Sequence, residues 1–336
     1  MAATIKDVAR YCGLSTATVS KYINGIHVRA DNQARIEEAI AALGFRVNAI
    51  ARGLKTNRTM TVGVLVPYVN RQFFSDIFRY LEEVLHDHGY SAILCSYSED
   101  PALEVEKLRA LLGKGVDGLV VIPREVTGER LRQLGVGGLP VVAIDRPMEG
   151  ARVDTVLVDN REIARQAMGL LLDAGHRQIG ILSGPQDLYS TQQRVLGIQD
   201  ALREHDAREQ DVTWLMGDSS LETAYTLASQ LLDGQPRPTA ILSINYENTR
   251  TALWEIFNGH NLAVPGEVSF VGFDLLELAQ LLRPRITMVE QPLEEIGRTA
   301  ARLLLERMAA PEDDLPPRQV QLPCTLHRFE SVARLT

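Results

Sequence analysis

The sequence predicts an all-α helix-turn-helix head followed by a two-lobed α/β body with doubly wound parallel sheets. Three observations predict it. Apolar residues recur at helical spacing through the first 45 positions, and short apolar runs alternate with amphipathic stretches through the rest. The strands produced in this way are too numerous for one comfortable sheet, so the body divides in two.

In the head, Thr4 caps a first helix, with Asp7 at the third helical position, where its charge suits the exposed N–H groups. Ile5, Val8, Ala9 and Cys12 form the inward stripe, and Gly13 supplies the turn. Ser15 caps a second helix with Val19, Tyr22 and Ile23 inward, and Asn24-Gly25 ends it. Asp31 starts a third, with Ile36, Ala39, Ile40 and Leu43 facing in before Gly44. Two helices joined by a tight glycine turn and closed by a third make the helix-turn-helix plan.

In the body, the expected strands are Val62–Val66, Ala92–Ser96, Gly118–Ile122, Val141–Ile144, Thr155–Val158, Ile179–Leu182, Ala240–Ile244 and Ser269–Phe273. The expected helices are Phe74–His88, Ala102–Leu112, Glu162–Leu172, Thr191–Arg203, Glu222–Leu232, Asn248–Phe257 and Leu293–Met308, the last preceding a terminal strand. The lobes divide near Asn160, and the chain crosses back at Gln291-Pro292 and Leu322-Pro323. This predicts a DNA-binding domain over 1–46, a linker over 47–59 and a body over 60–336. Within the body, one lobe takes about 60–160 and 292–322, the other about 161–290 and 323–336. A hinged pair of lobes buries a small ligand in the cleft between them.

Composition bounds the function. With 45% apolar and 23% charged residues the 336-residue chain reads as globular, and no apolar run approaches the roughly 18 residues of a membrane span. Met1-Ala2-Ala3-Thr4-Ile5-Lys6-Asp7 lacks a signal-peptide profile. Cys12, Cys95 and Cys324 lie far apart, which offers neither a disulfide framework nor a metal site. The expectation is a reduced, cytoplasmic protein with no cofactor and no membrane partner. The net charge of −8 is unevenly spread: residues 1–58 hold nine Lys/Arg against four acids, +5, leaving −13 on the rest. A basic head on an acidic body suits a polyanion at the head, although charge alone favours the alternative of a solvated basic face.

Catalytic motifs are missing. There is no GxxxxGK[ST] loop, Gly135–Pro140 leads into a strand instead of following one, and Gly180–Gly184 is not GxSxG. The seven histidines show no metal-ligand spacing, and His176, at a helix end, reads as a cap. On the second helix Thr16, Ala17, Ser20 and Lys21 face outward, which suits a helix entering a major groove end-on but equally a plain solvent face. The residues alone leave open a sugar-binding protein without a DNA role, or an α/β enzyme with an accessory head.

Thr4-Ile5-Lys6-Asp7-Val8-Ala9, Leu14–Ser20 and Ile23-Asn24 closely resemble the head of the lactose-repressor/galactose-repressor family of bacterial transcription regulators, and Asn48–Lys55 resembles its hinge helix. The likeness continues through Gly115-Val116-Asp117-Gly118, Asp145-Arg146, Gly175-His176-Arg177, Arg194-x-x-Gly197, Gly272-Phe273-Asp274 and Gln291-Pro292. It implies a homodimer reading a near-palindromic duplex, with a periplasmic-binding-protein-like body that senses a carbohydrate-like effector. The absence of a heptad tail after Cys324 predicts a dimer and not a tetramer. The resemblance assigns DNA contacts to Thr4, Ser15, Thr16, Ala17, Ser20, Lys21, Asn24, His27, Ala51, Leu54 and Lys55, with Leu54 as a minor-groove wedge. Gly53 weakens a helix by roughly 1 kcal/mol relative to Ala, so residues 47–58 are expected to be disordered without operator and helical with it.

The resemblance lines the cleft with Arg71, Phe74, Asp145, Arg146, Arg194, Trp214, Asn245 and Asp274. Arg194 would clamp hydroxyls or an anion, Asp274 and Asn245 would take hydroxyls, and Phe74 and Trp214 would offer stacking faces. Tyr68, Tyr246 and Leu275 stand where the family often has carboxylates, and Arg71 where it often has a neutral residue. Three carboxylates lost and one arginine gained predict a sugar acid or sugar phosphate.

Overall fold

A computed structural model describes residues 3–23, 26–45, 58–135, 138–218, 220–310 and 316–335. The chain separates into two compact units, Met1–Met60 and Thr61–Thr336.

Among its described residues the first unit holds three helices, α1 (Ile5–Cys12), α2 (Thr16–Ile23) and α3 (Ala30–Leu43). Thr4 and Asp7 form a reciprocal capping box: the Asp7 amide donates to Thr4 Oγ1 (3.4 Å) and the Thr4 amide to Asp7 Oδ2 (3.0 Å). Gly13 ends α1 at φ +63°, the left-handed region that favours glycine. The Thr18 amide donates to Ser15 Oγ at 3.1 Å, which caps α2. Asp31 lies in the first turn of α3 but does not cap it, and Arg29 precedes the helix without a side-chain bond. Val8, Ala9, Cys12, Val19, Ile36, Ala39 and Phe45 make the core. Ile5 remains 37% exposed, outside the stripe the spacing assigned to it. Arg35 Nη2 donates to the Cys12 carbonyl (2.5 Å) and Tyr22 Oη to Glu37 Oε1 (2.7 Å), so α3 is tied to both other helices by polar contacts as well.

The second unit contains two six-stranded sheets. The first joins β1 (Thr61–Val66), β2 (Ser91–Ser96), β3 (Gly118–Val121), β4 (Val141–Ile144), β5 (Asp154–Val158) and β11 (Gln319–Leu322) in the order β11-β5-β4-β3-β1-β2. Every pairing in it is parallel. The second joins β6 (Ile179–Ser183), β7 (Val212–Met216), β8 (Ala240–Ser243), β9 (Ser269–Phe273), β10 (Thr287–Glu290) and β12 (Thr325–His327) in the order β12-β10-β9-β8-β6-β7, with only β12 antiparallel. Helices α4 (Gln72–Asp87), α5 (Pro101–Gly113), α6 (Gly128–Gln133) and α12 (Leu293–Ala309) belong with the first sheet. Helices α7 (Asn160–Asp173), α8 (Tyr189–Glu204), α9 (Leu221–Asp233), α10 (Tyr246–Trp254) and α11 (Leu276–Leu281) belong with the second. The chain passes between sheets after β5, at Gln291-Pro292 and at Leu322-Pro323.

Strands β7 and β10 and helices α6 and α11 are additions to the sequence reading. Strand β7 is an edge strand exposing Thr213 and Met216, and β10 has only Met288 and Val289 between Thr287 and Glu290, so neither carries a strong apolar period. His176 is corrected from helix cap to buried anchor: its Nδ1 lies 2.9 Å from Thr239 Oγ1, and Nε2–H donates to the Ala333 carbonyl at 3.1 Å. Gly197 has a packing reason. A Cβ there would come within 2.0 Å of the Arg161 carbonyl of α7, so only glycine lets α8 lie this close and hold Arg194, one turn earlier, in place.

Candidate functional site

On the head, Thr16, Ala17, Lys21 and His27 are exposed and Ser20 is half-buried. The helix-turn-helix therefore presents the N-terminal half of α2 outward, as a recognition helix requires. Thr4 and Ser15, also expected to contact DNA, have their hydroxyls engaged in the caps of α1 and α2 while staying solvent-accessible. Asn24, Ala51, Leu54 and Lys55, like residues 47–57 of the linker expected over 47–59, lie outside the described residues.

In the body, a cavity of about 550 Å³ opens between the two sheets, at the carboxyl ends of their strands. Arg71, Phe74, Asp145, Arg146, Arg194, Asn245 and Asp274 all line it. Asp145 follows β4 at φ +65° and Asp274 follows β9 at φ +69°, so each lobe ends a strand with a left-handed aspartate turned into the cleft. Burial pushes both carboxyls up. Arg146 and Arg194 oppose this at Asp145, and Arg194 and the Gln291 amide oppose it at Asp274. Arg194 donates from Nε to Asn160 Oδ1 (2.7 Å) and from Nη1 to the Ile244 carbonyl (2.5 Å), and its guanidinium lies over the Phe273 ring at 4.6 Å. Nη2 has no hydrogen-bond partner among the described residues and is left to offer to a ligand. Asn245 Oδ1 caps α10 by accepting from the Asn248 amide (2.9 Å), which leaves its Nδ2 as the donor.

Trp214 is corrected. It sits on edge strand β7, half-buried against the apolar core of the second lobe, and is not among the residues that line the cavity. The period-two alternation of a strand sends it to the helix-covered face. The charge argument is corrected too. Leu275, counted as a lost carboxylate of the cleft, is buried in the core instead. Among the described residues the cavity is lined by four arginines and six carboxylates, Glu99, Asp187, Asp218 and Glu247 having gone uncounted. Arg71 lies 3.5 Å from Glu247 and 3.8 Å from the Tyr68 ring centre, and Arg146 is paired bidentately with Glu99 (2.6 and 3.2 Å). Arg71, Arg124 and Arg146 are thus each paired with an acid of the protein's own, whereas Arg194 is held by neutral oxygens.

Sequence reasoning also passed over Arg124, which donates to Asp187 of the opposite lobe, and Gln291, whose Nε2 donates to Asp274 Oδ1 (2.8 Å) while Oε1 is buried without a partner. Their shared signal is position: each follows the carboxyl end of a strand. Among the described residues no cluster could hold a metal ion, and no helix is long and apolar enough to cross a membrane.

Residues 4–48 match the family described as bacterial regulatory proteins, lacI family, and residues 59–330 match the periplasmic binding proteins and sugar binding domain of that family. The chain belongs to the LacI family. Catabolite control protein A of Priestia megaterium is 32% identical over 98% of both chains. Among solved structures, a LacI-family regulator from Enterococcus faecium with bound ribose matches with a TM-score of 0.74 and 26% identity, covering 82% of this chain and all of that one. The lac repressor dimer bound to operator and an anti-inducer shares the fold, with a TM-score of 0.85 at 22% identity, over 99% of this chain and 100% of that one. This LacI-family protein is a DNA-binding transcription regulator with a sugar-binding-type body, and not an enzyme.

Proposed function

We propose that the chain acts as a homodimer on a near-palindromic operator, and that its affinity for that operator is set by an uncharged, hydroxyl-rich carbohydrate held in the cleft. One observation carries the choice of ligand. The polar groups of the residues lining the cavity alternate in kind: Asp145 and Asp274 accept, while Arg194 Nη2 and Asn245 Nδ2 donate. A vicinal diol supplies both functions at each hydroxyl, and burial makes an unmet polar group costly, which gives selectivity for ligands that meet them all. The ribose bound to the Enterococcus relative is of this chemistry. A sugar acid or phosphate is disfavoured, because the excess of carboxylates would oppose a second anion.

Titration calorimetry of the full chain against neutral sugars and polyols, their acids and their phosphates tests this. Binding by one or more uncharged members is expected, and binding confined to the anions would overturn the ligand class. At the head, Thr16, Ala17 and Lys21 of both protomers would read bases, and Leu54 would wedge into the minor groove at the operator centre beside Ala51. Gel shifts against selected palindromes, with affinity falling steeply with salt, test that half of the reading.

A further inference from the structure

Two ion pairs join the lobes across the cleft. Arg124 Nη2 reaches Asp187 Oδ2 at 2.5 Å, and Arg71 Nε lies 3.5 Å from Glu247 Oε1. Arg124 and Arg71 follow β3 and β1 of one sheet; Asp187 and Glu247 follow β6 and β8 of the other. Counted from the side where the chain crosses between lobes, β3 and β8 are fourth in their sheets, and β1 and β6 are fifth. Each pair thus joins strands of unequal rank, and the two together brace the lobes against twisting in either sense.

Arg124 is itself held. Glu104 of α5, fully buried, accepts the amides of Arg124 (2.7 Å), Glu125 (2.7 Å) and Val126 (3.1 Å), fixing the loop that presents the arginine. On its other side, Arg124 Nε lies 3.8 Å from Glu99, which is paired in turn with Arg146 beside Asp145. Charges of alternating sign therefore run from the cleft floor to the opposite lobe. The covalent crossings tie the lobes along one edge, and the ion pairs tie strand ends farther from that edge.

We propose that Arg124–Asp187 and Arg71–Glu247 are clasps, positioning residues that close the cleft before an effector arrives. The ligand then enters a population already biased towards closure and does not have to draw the lobes together by its own contacts alone. The bias is shallow by construction, because Asp187 is 62% exposed and exposed pairs are weak, so closure stays reversible. This rests on the cleft being the effector site, but its test uses no effector, so either idea can fail without the other.

The experiment measures the lobe-to-lobe distance by pulsed electron spin resonance. Spin labels are placed at Arg109→Cys on α5 and Gln230→Cys on α9, both exposed, in the full chain with its three native cysteines replaced by alanine. Excess unlabelled protein confines the signal to one protomer, and circular dichroism confirms folding. At low salt a dominant short distance is expected. Asp187→Arg, the more exposed and hence better tolerated change, should raise the longer-distance population by up to about fivefold. Adding Arg124→Asp to it should restore the short distance, and 1 M NaCl should mimic the single reversal. An unchanged distribution in Asp187→Arg, or a folded double variant that stays open, overturns the clasp.

Discussion

In the head, Thr16, Ala17 and Lys21 stand exposed above a small apolar core, and their neighbours on α2 are only a helical turn away in sequence. In the body, Asp145, Arg146, Arg194 and Asp274 are withdrawn from solvent and come together from strand ends and a helix separated by up to 129 positions. The difference lies in what the rest of each unit must do. A duplex approaches the head from outside, so the core has only to hold a helix still. A cleft that encloses its ligand has to bury charge, and buried charge persists only where the surrounding fold supplies partners. The head is a platform; the body is a scaffold of compensating charges.

The largest effect that can break this comparison lies at Asp154, at the start of β5. Its carboxylate is fully buried and accepts from Arg307 (2.6 and 3.0 Å), from the Arg318 guanidinium (2.8 Å) and from the Arg318 amide (2.8 Å), binding α12 and β11 to the sheet. Asp154→Ala strands two arginines and should destabilise the body by about 3–5 kcal/mol in urea unfolding. The pH dependence has a definite sign. Burial pushes this carboxyl up, but the hydrogen bonds from Arg307 and Arg318 outweigh it and hold the group down at about 2. A depressed carboxyl contributes stability in full above its ordinary value near 3.8 and loses it as pH falls through about 2. The gap between wild type and Asp154→Ala should therefore narrow over that window, and a gap independent of pH would show that packing, not charge, is what the residue supplies.

Next in size is Asp274→Asn. It keeps the shape of the side chain but removes the charge that accepts at both the ligand and Gln291. Calorimetry with the tightest ligand of the screen should show a loss of affinity of about 10–100-fold, while ligand-free operator binding changes little. On the head the corresponding change is Lys21→Ala, which should weaken operator binding by about 1–3 kcal/mol and relax preference at one base pair. The urea midpoint of the body should not move. If Lys21→Ala lowered it, the two regions would not be as separable as their cores imply.

The same contrast explains what was legible. The capping box at Thr4 and Asp7, the Ser15 cap and the glycine stops at Gly13 and Gly44 are local signals, so the head could be laid out from a few dozen residues. The central parallel strands were legible because they are apolar runs buried on both faces. Edge strand β7 and the four-residue β10 carry too little pattern for that. In the cleft, motif resemblance located the groups on strand ends but not their partners. Glu99, Asp187 and Glu247 belong to loops and helix starts whose proximity is created by the fold, so a count of charges by motif position missed most of the carboxylates that line the cavity. Nothing in the sequence marked Glu104 as the support of Arg124, twenty residues away.

Trp214 gives the smallest expected effect and the sharpest test of that limit. A tryptophan in a sugar-binding body invites the reading of a stacking platform, yet here the side chain packs against the apolar core of the second lobe from edge strand β7. Its partial exposure belongs to the edge of a sheet and not to the wall of a cavity. Trp214→Phe preserves most of the apolar contact and should cost the body no more than about 1.5 kcal/mol. Effector affinity should stay within about twofold, since no contact with the ligand is removed. A tenfold loss of affinity in a variant of near-native stability would place the indole in the cleft after all. The partition between buried scaffold and ligand-facing groups would then have to be redrawn along β7.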